Sequence, residues 1–204
     1  MVNTDKIDLF KEYKAEYKAT SKPAIVETTK AQYLMIDGKG APSGMIFEER
    51  IQALYSMAFT IKMTRKFAGQ GDYAVCKLEG LWYTEDGSDS FATIPQDKWL
   101  WTLMIRTPEC VKQADLKKAV EALLKKGKAE KVKDVRLEKL NEGKCAQILH
   151  VGPYDKVTES IQKMRDFAKE NNLSFTGRHH EIYLSDPHRV TPEKLKTIIR
   201  RPVM

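Results

Sequence analysis

The sequence predicts an α+β fold in which two pseudo-symmetric units meet at a central ligand-binding cleft. The same order of elements, a hairpin, a glycine-containing loop, a helix and two strands, occurs in both halves of the chain. Residues 49–52 (Glu-Arg-Ile-Gln) recur in outline as residues 159–162 (Glu-Ser-Ile-Gln). Because each unit is too small to cover both faces of its own sheet, we expect the two to associate around a pseudo-twofold axis. A cleft between them would be the natural ligand site.

The first unit, about residues 23–108, follows an N-terminal amphipathic arm at residues 1–22. In this arm Phe10, Tyr13 and Tyr17 recur at helical spacing over residues 6–19, so we expect it to pack on the main body. The unit itself shows extended segments, an amphipathic stretch and two apolar strands. These predict a hairpin of 23–29 with 31–37, a helix over 46–63, and strands over 75–84 and 98–106, with the acidic loop 84–90 between the last two.

A linking helix, about residues 109–128, leads to the second unit at about residues 133–204. Apolar residues at helical spacing run over 111–126, and Gly127 is a typical helix terminator. The second unit then repeats the plan of the first. We expect a hairpin of 135–140 with 145–150, a helix over about 154–171 that opens after Gly152-Pro153, and strands over 178–185 and 195–202.

Composition and charge exclude several classes of protein. No segment approaches the roughly 20 apolar residues of a membrane span, and the N-terminus carries charges where a signal peptide needs apolar residues, so we expect a cytoplasmic protein. The net charge is +7, but no nucleic-acid-binding motif accompanies it, and lysines near the end of the linking helix are typical of a solvated face. Cys76, Cys110 and Cys145 form no CxxC motif, which predicts reduced, catalytically idle thiols and no metal or cofactor.

The strand around residues 178–185 carries the strongest functional pattern. Alternation places His179, Glu181 and Tyr183 on one face, and His180 and Ile182 on the other. Two neighbouring histidines therefore do not converge on one metal ion. We expect the apolar Ile182 face to lie under the helices, which leaves Glu181 and Tyr183 facing the cleft.

Aromatic strands are expected to surround that carboxylate. Trp82 and Tyr83 lie on one strand, and Trp99 and Trp101 on its neighbour; we expect Trp101 to reach the cleft and Trp99 to be structural. A carboxylate among rings is a candidate general acid or base, and rings hold flat or cationic ligands. The alternative is that the tryptophans are core residues and that Glu181 pairs with Arg178 or Arg106.

At this point a family resemblance is evident. The ending RHHEIYLSDPHRVTPEKLKTIIRRPV is similar to the C-terminal signature of the GyrI-like small-molecule-binding family, and HVGPYDKV matches that family's Gly-Pro-Tyr turn. The segments YLMIDGKG, LEGLWYT and WLWTLMIR resemble its stand-alone branch. The pair His179-His180 departs from the family, where small or aromatic residues are commoner.

The resemblance implies two βαββ units (an SHS2-type pair) with antiparallel sheets and a central cleft. In multidrug-responsive regulators of this family a buried acidic residue binds cationic drugs, and it falls on Glu181 here. The stand-alone branch resembles hydrolases of cyclopropane-bearing electrophiles, which implies detoxification of flat aromatic compounds. The resulting site hypothesis has Glu181, Tyr183 and Tyr55 as catalytic residues. Ligand contacts are expected from Trp82, Tyr83, Trp101, Tyr154 and His179.

The resemblance leaves two other functions open. One is a non-catalytic module that sequesters aromatic or cationic drugs. The other is a protein that interacts with DNA gyrase, since some relatives inhibit that enzyme. Neither requires turnover, and both use the same cleft or its surroundings.

Overall fold

A computed structural model describes residues 6–85, 94–128 and 130–204. It contains four α-helices and eight strands in these residues. The helices are α1 (Leu9–Glu12), α2 (Met45–Phe67), α3 (Gln113–Lys125) and α4 (Val157–Glu170). The strands are β1 (Ala24–Glu27), β2 (Ala31–Lys39), β3 (Leu78–Tyr83), β4 (Leu100–Arg106), β5 (Arg136–Leu140), β6 (Lys144–Val151), β7 (His179–Tyr183) and β8 (Lys196–Pro202). Most of the expected acidic loop, residues 86–90, lies outside the described residues.

All eight strands form one antiparallel sheet in the order β1-β6-β8-β7-β3-β4-β2-β5. The strand order is symmetric about its centre. The unit β2-α2-β3-β4 of the first half corresponds to β6-α4-β7-β8 of the second half, and the two units lie on opposite sides of the centre. The pseudo-twofold axis therefore passes between β3 and β7, where Gly80 lies opposite Glu181. The predicted α+β fold of two βαββ units is confirmed.

The two predicted hairpins are wrong. Strand β1 pairs with β6 of the other half, and β5 pairs with β2, so each unit receives its edge strand from the opposite half. The two turns that were expected to close hairpins instead touch each other, because Thr28 donates hydrogen bonds to the carbonyl oxygen of Gly143 from both its backbone nitrogen (2.9 Å) and its hydroxyl (2.9 Å). Alternation of apolar residues fixes the face a strand presents but not its partner.

The two long helices lie on one face of the sheet, over its outer strands. Helix α2 packs on β2 and β4, with Leu54, Met57 and Ile61 inward, and α3 packs beside it. Helix α4 packs on β6 and β8, where Met164 meets Ile148 and Ile199. The central pair β3–β7 therefore lies between the two helices, and we call the space above it the central cleft.

The N-terminal arm covers the opposite face of the sheet. Its helix α1 is shorter than the predicted span, and turns continue the arm to Tyr17. On this face Ile182 and Ile198 pack with Tyr17, so the expectation that Ile182 lies under the helices is wrong. Apolar strand residues are covered on one face of the sheet by the arm and on the other by the helices, and periodicity alone did not tell the two faces apart.

Trp101 is one of the largest side chains in the core, and it depends on a glycine. Its indole lies over Gly38 on the paired strand, and its Nε1 donates a hydrogen bond to the carbonyl oxygen of Gly40 (3.0 Å). The Phe47 ring meets it edge-on at 5.0 Å between centroids. A Cβ atom added at Gly38 would lie 2.0 Å from Cη2 of Trp101, which is far inside contact distance.

We therefore expect Gly38→Ala to lower the free energy of unfolding by about 1 to 3 kcal/mol, because the indole must leave its position. Urea denaturation measures this loss. The control is Gly44→Ala, where the added atom would lie 3.5 Å from the Ala41 carbonyl oxygen, an ordinary contact. Gly44 is the N-cap of α2, so this change costs at most about 1 kcal/mol. Equal losses in the two variants would contradict the packing argument.

Candidate active site

Glu181 lies on the floor of the central cleft, on the same face as the two long helices. It is carried by β7 opposite Gly80 and its side chain is 13 % exposed. One carboxylate oxygen, Oε1, accepts a hydrogen bond from Nε2 of His179 (3.0 Å), and the other, Oε2, accepts one from the hydroxyl of Tyr183 (2.9 Å). The carboxylate is thus fixed in orientation, and each oxygen keeps a further lone pair for another donor.

Tyr183 connects this carboxylate to the aromatic strand β3. Its hydroxyl donates to Glu181 and accepts a hydrogen bond from Nε1 of Trp82 (3.1 Å). Burial, with the negative charge of Glu181, raises the pKa of Tyr183 well above its usual value, so the phenol stays protonated. Gly80 makes room for this contact, because a Cβ atom there would lie 3.1 Å from Nε1 of Trp82 and 3.3 Å from the Tyr183 hydroxyl oxygen.

Two further tyrosines approach from the sides. Tyr154, in the short 3-10 turn before α4, meets the Tyr183 ring edge-on at 5.9 Å and is 41 % exposed. Burial, followed by the charges of Glu181 and Asp186, raises its pKa. Tyr55 of α2 is half-buried, and its pKa is raised by burial and then by Asp186. Both phenols are therefore neutral donors near the carboxylates of Glu181 and Asp186.

Two predicted ligand contacts are not brought to this cleft. Trp101 pairs with Trp82 in register, but it is 0 % exposed and packed between Gly38 and Phe47. Tyr83 follows Trp82 on the strand and so points to the opposite face, where Arg178 lies 3.7 Å above its ring. Trp101 was expected to be accessible and Trp99 to be buried, and the structure shows the reverse. Trp99 is partly exposed, and its ring meets that of Trp82 edge-on at 6.1 Å between centroids.

The alternative partners of Glu181 are engaged elsewhere. Arg106 forms a buried ion pair with Glu16 of the arm, at 2.8 Å, and Arg178 covers Tyr83. His179, expected to touch ligand, is buried and bonded to Glu181, so it orients the carboxylate. Asp186 and Gly80 are not predicted by the sequence pattern, because their contribution depends on which strands and loops become neighbours.

A buried charged cluster lies directly behind Glu181, on the arm side of the sheet. His180 is 0 % exposed, and its ring nitrogens lie 2.9 Å from Glu142 and 2.9 Å from Glu79. Arg200 reaches the same Glu142 carboxylate at 3.6 Å, and Tyr17 donates to Glu79 at 3.0 Å. Two carboxylates facing both ring nitrogens require two N–H donors, so His180 is an imidazolium. The cluster joins the two halves beneath the cleft.

The cysteines take no part in the cleft geometry. All three are free, with Cys76 and Cys145 buried and Cys110 exposed. Burial raises the pKa of Cys76 and of Cys145 to about 12, so both stay as thiols. In the described parts of the chain no group of three or more metal-ligating side chains is close enough to hold an ion. Over the same residues no helix has the length and apolar character that crossing a membrane requires.

Comparison with known proteins gives one family match and several structural matches. The model of the GyrI-like small molecule binding domain matches residues 21–204. An uncharacterized conserved protein from Listeria innocua is 39% identical, covers 98% of this chain and 100% of its own, and superposes with a TM-score of 0.90. A hydrolase from the same organism is 37% identical over the same shares, with a TM-score of 0.89. No curated protein matches the chain significantly.

A more distant match shows the fold alone. The C-terminal domain of EcmrR is 9% identical, with 90% of this chain and 97% of that one covered and a TM-score of 0.57. The arrangement of strands and helices around the central pair is therefore shared well beyond recognisable sequence similarity.

Proposed function

Since this chain belongs to the GyrI-like small molecule binding domain family, we propose that it is a detoxifying hydrolase that opens a strained cyclopropane ring of flat, aromatic electrophiles with water. The observation that carries the proposal is the Glu181 carboxylate, held by His179 and Tyr183 on the floor of the central cleft. Support comes also from relatives 37% identical to this chain that are described as hydrolases.

In the proposed chemical step, Glu181 acts as the general base. A water molecule bound to a carboxylate oxygen attacks a cyclopropane carbon, so that a carbon–oxygen bond forms while a ring carbon–carbon bond breaks. The released electron pair moves into the conjugated dienone, whose oxygen becomes a phenolate, and the water proton passes to Glu181. A positioned base of this kind contributes about 10² to 10⁴ in rate.

A phenol completes the proton balance. Tyr154 is the more accessible donor, because the Tyr183 hydroxyl is already engaged with Glu181 and Trp82. Tyr154 gives its proton to the developing phenolate, and solvent returns the proton held by Glu181 to the tyrosine. Tyr55, near Asp186, is the second candidate donor. The net reaction adds one water molecule to the substrate.

Aromatic side chains would bind the flat body of the substrate. Trp82 stacks on Phe47 with 5.9 Å between centroids, which fixes one ring beside the carboxylate. Tyr154 offers an exposed ring on the other side. Stacking on such rings favours planar ligands, and the carboxylates of Glu181 and Asp186 favour those that carry positive charge.

Incubation with a spirocyclopropyl dienone, followed by mass spectrometry, tests the proposed function. We expect a product heavier than the substrate by one water molecule, formed faster than in buffer. Absence of acceleration, with binding of the compound intact, would overturn the hydrolase proposal and favour a drug-sequestering module. Contact with DNA gyrase would then be tested by supercoiling in the presence of the protein.

A further inference from the structure

The outward face of α2 carries a stripe of largely exposed residues. Residues at alternating spacings of four and three lie along it, as on the seam of a coiled coil. They are Met45, Glu49, Gln52, Ser56, Phe59, Met63 and Lys66. Met45 is 80 % exposed and Phe59 is 51 % exposed, and the flanking Phe67 is 80 % exposed. We call these seven residues the α2 seam.

A helix that buries apolar residues on one face and exposes others on the opposite face is typical of an element covered from both sides. The inward face of α2 is accounted for by Leu54, Met57 and Ile61, which lie in the core. The α2 seam is on the other side of the helix, and all of its residues are exposed except the half-buried Ser56. Its heptad spacing is the one that a second helix fits at a shallow crossing angle.

The charges at the two ends of the α2 seam point to a second copy of this chain as its partner. Glu49 lies near the N-terminal end of the α2 seam and Lys66 lies at its C-terminal end, and both are exposed. We propose that the α2 seam is a homodimer interface in which α2 packs antiparallel against α2 of a second copy of this chain. Such an interface is isologous, so each contact occurs twice.

One register satisfies the charges. When Glu49 faces the other copy's Lys66, Gln52 faces Met63 and Ser56 faces Phe59 across the axis. In each of these pairs, a residue that follows a spacing of four along the seam faces a residue that follows a spacing of three, as antiparallel helix pairs require. Antiparallel packing also places each helix N-terminus beside the C-terminus of the other copy, which is electrostatically favourable.

A groove beside the helix supports this placement. It has a volume of about 480 Å³, and its walls come from α2 and from the end of α3. Gln52, Ser56 and Phe59, which are the middle of the α2 seam, line it together with Leu123 of α3. A side chain such as Phe59 from a second copy would enter this groove, which adds buried apolar area at the centre of the interface.

The dimer would also reach the cleft. Phe59 stacks on Tyr55 with 6.2 Å between centroids, and Tyr55 stands at the side of the cleft near Asp186. A second copy that covers Phe59 would restrict Tyr55 from outside. The interface is nevertheless separate from Glu181, so the dimer proposal does not depend on the proposed hydrolase activity.

Charge reversal tests the register by sedimentation velocity over a wide range of protein concentration. We expect wild type to show a reversible monomer–dimer equilibrium, and Glu49→Lys or Lys66→Glu alone to raise the dimer dissociation constant about tenfold or more, because each creates two like-charge contacts. An equimolar mixture of the two variants should recover the dimer, because both contacts of the mixed dimer are then complementary.

Further measurements separate a lost dimer contact from a loss of folding or a general effect of charge. Lys66 also pairs with Asp72 at 3.2 Å, so thermal unfolding of Lys66→Glu must accompany the sedimentation data. Glu121→Lys, an exposed reversal on α3, should leave the dissociation constant unchanged, whereas Phe59→Glu should abolish the dimer. A wild-type protein that stays monomeric throughout, or a mixture that fails to recover the dimer, would overturn the proposal.

Discussion

Replacement of Glu181 by Gln is expected to lower the ring-opening rate by at least about a hundredfold, because the variant keeps the size of the side chain but removes the base. Binding of a neutral, flat aromatic ligand should change little, since the neighbouring rings remain in place. Tryptophan fluorescence quenching measures the binding, and mass spectrometry of the product measures the turnover. A loss confined to turnover is the signature of a base that acts on water.

The same change at an exposed carboxylate is the matched control. Glu27→Gln lies on the edge strand β1, and we expect wild-type rates from it. A sequestering module would behave differently, since Glu181→Gln would then weaken the binding of cationic ligands and there would be no turnover to lose. Full turnover in Glu181→Gln, with the fold intact, would rule out the carboxylate as the base.

Replacement of His180 by Leu is expected to have the largest effect on stability. The variant leaves the buried carboxylates of Glu79 and Glu142 without the imidazolium between them. Loss of one partner from a buried ion pair typically costs about 3 to 5 kcal/mol of unfolding free energy. Urea denaturation at neutral pH measures the loss, and His188→Leu, at an exposed histidine, is the control for which we expect little change.

The same cluster predicts a pH dependence of stability. Burial alone would lower the pKa of His180, but the carboxylates of Glu142 and Glu79 outweigh it and raise the pKa to about 9. The ordinary value in an unfolded chain is about 6.5. A raised pKa in the folded state stabilises the fold fully below about pH 6.5, and this contribution is lost as the pH rises through about 9.

We therefore expect the wild-type free energy of unfolding to fall between about pH 6.5 and 9, by on the order of 3 kcal/mol. Arg200 and Tyr17, which also face the cluster, keep their charge states over most of this range because the pKa of each is raised. The His180→Leu variant should lack this part of the slope. Parallel slopes in the two proteins would show that His180 is not the titrating group.

The residues of the candidate site illustrate what a sequence can and cannot locate. Alternation along one strand correctly places His179, Glu181 and Tyr183 together, and the hydrogen bonds of Glu181 to both neighbours follow from that placement. The same rule applied to β3 would also have placed Tyr83 away from Trp82. Trp101 was assigned to the cleft because nothing in its own strand reveals that Gly38 of the neighbouring strand leaves a space for the indole.

By itself the sequence determined the three longer helices, the strands, the internal repeat and the acidic residue of the cleft, because these depend on local spacing and on residue type. Only the tertiary structure decided which strands pair. The exchange of β1 and β5 between the halves, and the arm on the face behind Glu181, arise from contacts between residues far apart in the chain. An apolar pattern predicts that one face of a strand or helix is buried, but it does not predict which element covers that face, because hydrophobic burial is non-directional.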